Sequence, residues 1–165
     1  MDDYKVKLRR YEDDLNVGGI GVIILGAWDV LKVVMHGLMN LKDNLTIEVY
    51  EGDEKTVAAV AIAVFVAVIL FIFFLVFKIH LYIGLNASRA AKGEPYKKGY
   101  YKGAIIILVM SVIGMSGYIE EFKDIKNIDK TVASIIVDLT TIYILWIVIS
   151  STRKIRELRS SQARE

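Results

Sequence analysis

Four long apolar segments separated by short polar stretches organise this sequence. They cover residues 17–41, 57–85, 103–119 and 131–151. A helix rises about 1.5 Å per residue, so roughly 20 apolar residues are needed to cross about 30 Å of hydrocarbon. The run 57–77 contains no charged residue, glycine or proline, whereas buried strands of soluble proteins end after about 4–8 residues. The pattern predicts an all-α integral membrane protein with four transmembrane helices, because long runs in lipid satisfy their backbone only as helices.

The polar ends of the chain flank a four-helix transmembrane domain predicted over residues 17–152. Residues 1–16 form a predicted cytoplasmic, amphipathic N-terminal arm. Its apolar residues at helical spacing are Tyr4, Leu8, Tyr11 and Leu15. Such an arm either lies on the membrane surface as a short helix or remains solvated, and the sequence leaves both open. Residues 153–165 form a basic cytoplasmic tail, and attraction to anionic lipid explains its charge.

Lysine and arginine residues are distributed unequally between the two sides of the predicted membrane. The N-terminal arm carries four of them, the connection between the second and third spans carries five, and the tail carries five. The two remaining loops together carry five and are otherwise acidic. Short loops rich in Lys and Arg stay in the cytoplasm. The distribution therefore predicts a multi-pass protein of the cell membrane with both termini cytoplasmic.

Two short similarities suggest an internal duplication. The first and third spans contain GVIIL at residues 21–25 and GAIII at residues 103–107. Residues 55–58 and 130–133 both read KTVA, and each tetrapeptide opens a predicted span at the same membrane edge. A duplication would give two tandem helical hairpins of the same orientation, related as a parallel repeat. Chance resemblance between apolar segments is the alternative explanation.

Small residues predict where helices approach each other closely. The first span contains Gly18, Gly19, Gly21 and Gly26, and the second contains Ala59, Ala63 and Ala67 at intervals of four. Helices in lipid associate through such small residues because their backbones can come close together there.

A set of polar residues inside the predicted spans forms the candidate site. Asp29, Lys32 and His36 share one face of the first span, since their offsets are three, four and seven. Lys32, roughly 12–14 Å from the outer edge, and Asp138, roughly 10 Å from it, have compatible depths for an ion pair. The complete candidate set, an intramembrane polar or ligand site, is Asp29, Lys32, His36, Ser111, Asp138 and Thr141.

The candidate set has two interpretations. Charges within a span are costly and usually face protein or water, so they either bind a ligand or fix which helices pack together. Lys78 and His80, near the inner boundary of the second span, are expected to extend their side chains to the headgroups.

Composition narrows the classes of function. The chain has no cysteine and lacks the HExxH and GxSxG patterns, so it is not expected to be an enzyme or to bind a metal or cofactor. A net charge of +2 indicates no nucleic-acid partner. The expected partners are the lipid bilayer and either further copies of the chain or another membrane protein.

Two functions fit these observations. One is a non-catalytic membrane subunit, sensor or assembly and regulatory partner with an intramembrane polar site. The alternative is an oligomeric channel or transporter for an ion, a proton or a small solute, which would use Asp29, Lys32 and Asp138.

Overall fold

The computed structural model describes residues 2–44, 53–118 and 128–162, which are almost entirely helical. The helices are α1 (Asp2–Asn44), α2 (Asp53–Ala91), α3 (Gly99–Gly114) and α4 (Ile128–Gln162), with a 3-10 turn at Met115–Gly117. No residue in these described ranges belongs to a strand. The prediction of an all-α chain is confirmed.

Among the described residues, four helical segments are long and apolar enough to cross a membrane. They are Asp3–Leu31, Ala59–Ala91, Gly99–Gly117 and Thr131–Gln162. This confirms the predicted number of such helices and their approximate positions. α1, α2 and α4 extend beyond the predicted spans at both ends, since the N-terminal arm continues into α1 without a break and the basic tail continues α4. α3 begins before the predicted span but ends at Gly114, short of the predicted residue 119.

A glycine ends α2 and redirects the chain toward α3. Gly93 has a φ of 73°, a left-handed conformation that glycine adopts without steric cost. The amide of Glu94 donates to the carbonyl of Arg89 at 2.9 Å, and the amide of Gly93 donates to that of Ala90 at 3.4 Å. These two bonds form a Schellman motif. They satisfy carbonyls that the end of α2 would otherwise leave unpaired.

The chain divides into two compact units. The first unit comprises Met1–Leu25 and Leu81–Glu165, and the second comprises Gly26–His80. The core lies in the first unit, where α1, α2, α3 and α4 each contribute buried side chains. The largest fully buried side chains are Tyr100, Leu15, Ile83, Leu145, Val22 and Val148.

Glycines allow α1 to pack closely within the first unit. A Cβ on Gly18 would lie 2.9 Å from the Cγ2 of Val148, and a Cβ on Gly19 would lie 2.7 Å from the carbonyl oxygen of Gly84. Real Cβ atoms essentially never come so close, so α4 and α2 approach α1 where it has no side chain. This confirms close packing at Gly18 and Gly19. By contrast, Ala59, Ala63 and Ala67 are exposed on α2.

Candidate functional site

Asp29 and His80 form an acid–base pair between α1 and α2 in the second unit. The Nε2 of His80 lies 4.0 Å from the Oδ2 of Asp29. The imidazole is buried, with 5% of the residue exposed. Its Nδ1 lies 2.9 Å from the carbonyl oxygen of Val76. A carbonyl only accepts, so Nδ1 carries a proton and Nε2 is the nitrogen directed at the carboxylate.

The protonation of Nε2 decides what this pair does. A proton on Nε2 makes an imidazolium opposite a carboxylate, and without that proton a lone pair faces the carboxylate. Within the described part of the chain, Nε2 has no hydrogen-bond partner, because 4.0 Å is longer than a hydrogen bond. The two side chains therefore face each other without a direct hydrogen bond between them.

Gly26 creates the space that His80 occupies. A Cβ on Gly26 would lie 2.6 Å from the Cγ of His80 and closer still to its Cβ. Any larger residue at this position would push α2 away from α1. Gly26 lies one helical turn before Asp29, so the missing side chain and the carboxylate lie on adjacent turns of one face.

The burial of His80 contradicts the expectation that its side chain reaches the headgroups. That expectation was wrong because the ring finds space against Gly26 and polar neighbours in Asp29 and the Val76 carbonyl. Lys78 is exposed, and its Nζ lies 5.9 Å from the ring centroid of Phe74.

Asp138 is hydrogen-bonded to Tyr118, which also belongs to the first unit. The hydroxyl of Tyr118 donates a hydrogen bond to the Oδ2 of Asp138. Tyr118 directly follows the 3-10 turn that ends α3, and Asp138 lies on α4. This bond satisfies part of a half-buried carboxylate with a donor that the sequence analysis did not include in the candidate set.

Thr141 and Ser111, two further members of the candidate set, lie on α4 and α3. Thr141 is buried, and its Oγ1 donates to the carbonyl of Val137 in its own helix at 3.1 Å, so its proton is already engaged. Ser111 is half-buried on α3. The side chains of Lys32 and His36 lie outside the described residues. The ion pair between Lys32 and Asp138 therefore stays a prediction.

A second polar network, which the sequence analysis missed, lies in the first unit near the α2–α3 loop. The Oγ of Ser88 donates to the Oδ1 of Asn16 at 2.5 Å. Asn86 donates to the Tyr82 carbonyl at 2.7 Å and accepts from the Lys97 amide at 2.8 Å. Asn86 thus joins the loop to α2, since one amide side chain both donates and accepts.

A third polar contact joins α3 to α4. The hydroxyls of Tyr100 and Thr152 are 3.0 Å apart, and both residues are buried. The Oγ1 of Thr152 also contacts the Val148 carbonyl at 2.6 Å. Because a carbonyl cannot donate, Thr152 uses its only proton there, and Tyr100 donates to Thr152.

Most of these polar groups contact another polar group among the described residues. Over residues 2–44, 53–118 and 128–162, no three His, Asp or Glu side chains cluster as they would around a metal ion. The arrangement can fix helices against each other, and it places a carboxylate opposite an imidazole nitrogen at Asp29 and His80.

Comparisons with protein-family models, curated proteins and solved structures found no match to this chain.

Proposed function

We propose that this chain is a multi-pass protein of the cell membrane that acts as a non-catalytic subunit. In this proposal it assembles through α2 with a second copy of itself or with another membrane protein. Its buried and half-buried polar pairs fix the helix packing. The distribution of basic residues supports a cytoplasmic position for both termini.

The observation that carries this proposal is the exposed apolar surface of α2 in the second unit. A helix that is apolar on all sides belongs in lipid or in a large protein core. The large exposed apolar side chains between residues 57 and 79 are Val57, Val60, Val64, Phe65, Val68, Leu70, Phe71, Ile72, Phe74, Leu75 and Ile79. A surface of this kind needs lipid, a partner helix or both to cover it.

The exposed alanines of α2 provide a place for a partner helix. Ala59, Ala63 and Ala67 are exposed and lie four residues apart, so they form one row along the helix. Small side chains in lipid favour close approach of a second helix. Phe65, which is 59% exposed, projects from nearly the opposite side of α2 and is expected to face lipid.

The pairing of buried and half-buried polar groups within the chain supports a structural role for them. The Asp138 carboxylate accepts from Tyr118, Tyr100 donates to Thr152, and Asn16 accepts from Ser88. Polar groups that are satisfied within the chain stabilise a particular helix arrangement and have less capacity left for a solute.

Position-specific photo-crosslinking in intact membranes tests the assembly. A photo-reactive residue replaces Ala63 in one variant and Phe65 in a matched control, both on exposed positions of α2. We expect a discrete crosslinked protein product from position 63 and mainly lipid adducts from position 65. Mass spectrometry then identifies the product as a second copy or a different protein. The assembly would be refuted if neither position gave a crosslinked protein and photobleaching counted one subunit per particle.

Topology reporters test the membrane location independently. Reporters that are active only in the cytoplasm are fused to each end of the chain, and both are expected to be active. Activity at one end only would contradict the orientation. Recovery of the chain in the soluble fraction without detergent would contradict the membrane location.

A second candidate function is an oligomeric channel or transporter for a proton, ion or small solute. The Asp29–His80 pair favours it, since a carboxylate 4.0 Å from a buried imidazole nitrogen is a place where a proton can bind. Purified protein in liposomes distinguishes the two. The non-catalytic subunit produces no flux, whereas a transporter produces a flux that Asp29→Asn changes without altering assembly.

A further inference from the structure

A small pocket lies in the first unit among the N-terminal half of α1, the end of α2, the α2–α3 loop with the start of α3, and α4. It has a volume of about 180 Å³. Its buried lining is largely apolar and includes Leu15 and Ile155, which are 1% and 4% exposed. Tyr96 and Tyr100 also line it, with their rings edge to face at a centroid distance of 5.7 Å.

The exposed side of this pocket is cationic. Arg156 and Arg159 line it, and both are exposed. The guanidinium carbon of Arg156 lies 4.8 Å from the ring centroid of Tyr101, and the Nη2 of Arg159 lies 2.9 Å from the Oε1 of Glu12. Two guanidinium groups and one carboxylate leave an excess of positive charge at the pocket.

The hydroxyls of Tyr100 and Thr152 do not offer protons to a ligand. Thr152 also lines the pocket, but its proton is directed at the Val148 carbonyl, and that of Tyr100 is directed at Thr152. The arginines therefore supply the charged donors of the pocket. A guanidinium presents several N–H groups in a planar fork, which matches the oxygens of a phosphate.

We propose that this pocket binds a phosphate group that carries net negative charge, with Arg156 and Arg159 as its ligands. Ligand pockets for drug-sized molecules measure about 300–1,000 Å³, so a volume of about 180 Å³ suits a phosphate with a few attached carbon atoms. An anionic phospholipid headgroup and a soluble phosphate ester both offer this chemistry. The lipid source rests on the membrane location proposed above, where basic pockets between helices bind headgroups.

Binding in this pocket can be distinguished by mutation from the general attraction of a basic surface to anionic lipid. Arg153 and Lys154 lie on the same helix but do not line the pocket, and they contact Glu157 at 3.0 and 3.2 Å. Removing these two charges changes the net charge as much as removing Arg156 and Arg159. The pair Arg153→Ala/Lys154→Ala is therefore a matched control.

Binding is measured on the full purified chain in neutral detergent, by native mass spectrometry and thermal unfolding. The probes are dioctanoyl phosphatidylglycerol, dioctanoyl phosphatidylcholine and inorganic phosphate. We expect phosphatidylglycerol to bind and stabilise the chain more than phosphatidylcholine. Arg156→Ala/Arg159→Ala should weaken this binding roughly tenfold or more, the loss of about 1.4 kcal/mol, and the control pair much less.

Glu12→Gln provides a test in the opposite direction. Glu12 competes with an incoming anion for Arg159, so its neutralisation should tighten binding severalfold, whereas damage to the fold would weaken it. This variant retains both arginines and remains informative if the double arginine variant does not fold.

The results distinguish a lipid headgroup from a soluble phosphate compound as the ligand, and they test the pocket separately from the assembly through α2. Binding of phosphatidylglycerol alone identifies a lipid headgroup, and equal binding of inorganic phosphate identifies a soluble phosphate compound. No binding of either, equal losses in both double variants, or an unchanged or weaker affinity in Glu12→Gln would overturn the site. These measurements do not depend on assembly through α2, so failure of the crosslink at position 63 is a separate result.

Discussion

Gly19 and Gly84 bring the backbones of α1 and α2 into direct proximity in the first unit. A Cβ on Gly84 would collide with the carbonyl oxygen of Gly19 and the side chain of Ile23, and one on Gly19 would lie 2.7 Å from the Gly84 oxygen. Backbone atoms cannot move aside as a flexible side chain does. The close crossing therefore depends on both glycines.

We predict that Gly84→Ala destabilises the chain by roughly 1–3 kcal/mol, the usual cost of overpacking. Gly114→Ala is the control, because nothing lies within 4 Å of a Cβ built there. Replacing a helical glycine by alanine without a clash is neutral or stabilises by up to about 1 kcal/mol. Thermal or denaturant unfolding in detergent, followed by circular dichroism, measures both. Equal stability of the two variants would show that the crossing tolerates a side chain.

The buried hydroxyl of Tyr100 yields a second prediction. Tyr100 is 1% exposed and donates to Thr152, so Tyr100→Phe should cost about 1 kcal/mol of unfolding free energy. Tyr143, which is 63% exposed, is the matched control, and Tyr143→Phe should stay within about 0.5 kcal/mol of the parent. A Tyr100→Phe variant as stable as the parent would remove the assigned role of this bond.

The helices were largely predictable from the sequence because apolar runs of this length, uninterrupted by turn residues, are typical of helices long enough to cross a bilayer. Each of the four helices overlaps one predicted span. Their ends were less predictable. The polar arm 1–16 has no strong breaker before the first span, so one helix, α1, includes both.

The partners within the helices were harder to predict than the helices themselves. The glycines of the first span were recognisable as packing positions, but their partner Gly84 was not, since hydropathy does not fix the register between two helices. For the same reason Asp29 could be placed on a face, yet its neighbour His80 was expected at the headgroups. Tyr118 lay within the predicted third span, residues 103–119, but was not included in the candidate set.

The bond between Tyr118 and Asp138 predicts an energetic coupling. In a double-mutant cycle with Tyr118→Phe and Asp138→Ala, we expect an interaction energy of roughly 1–3 kcal/mol, as for a hydrogen bond to a charged group. Tyr118→Phe combined with Tyr100→Phe is the control, because these residues lie near opposite ends of α3 and should be additive within about 0.5 kcal/mol. Unfolding in detergent measures each variant. Additivity of Tyr118→Phe and Asp138→Ala would disprove the coupling.

The geometry around His80 predicts which ring nitrogen senses Asp29. The chain contains only two histidines, so ¹⁵N-histidine labelling gives two sets of signals, and His36→Gln assigns them. We expect the Nδ1 of His80 to be protonated, because it faces the Val76 carbonyl at 2.9 Å. In Asp29→Asn the Nε2 resonance should move more than that of Nδ1, since Nε2 faces the carboxylate.

Glu12→Gln is the control for this experiment. It removes a carboxylate on the same helix, α1, that contacts Arg159 rather than His80, so it should leave both resonances unchanged. If Asp29→Asn leaves the Nε2 resonance unchanged, or shifts only that of Nδ1, the two side chains do not interact. The proposal of a channel or transporter would then lose its support.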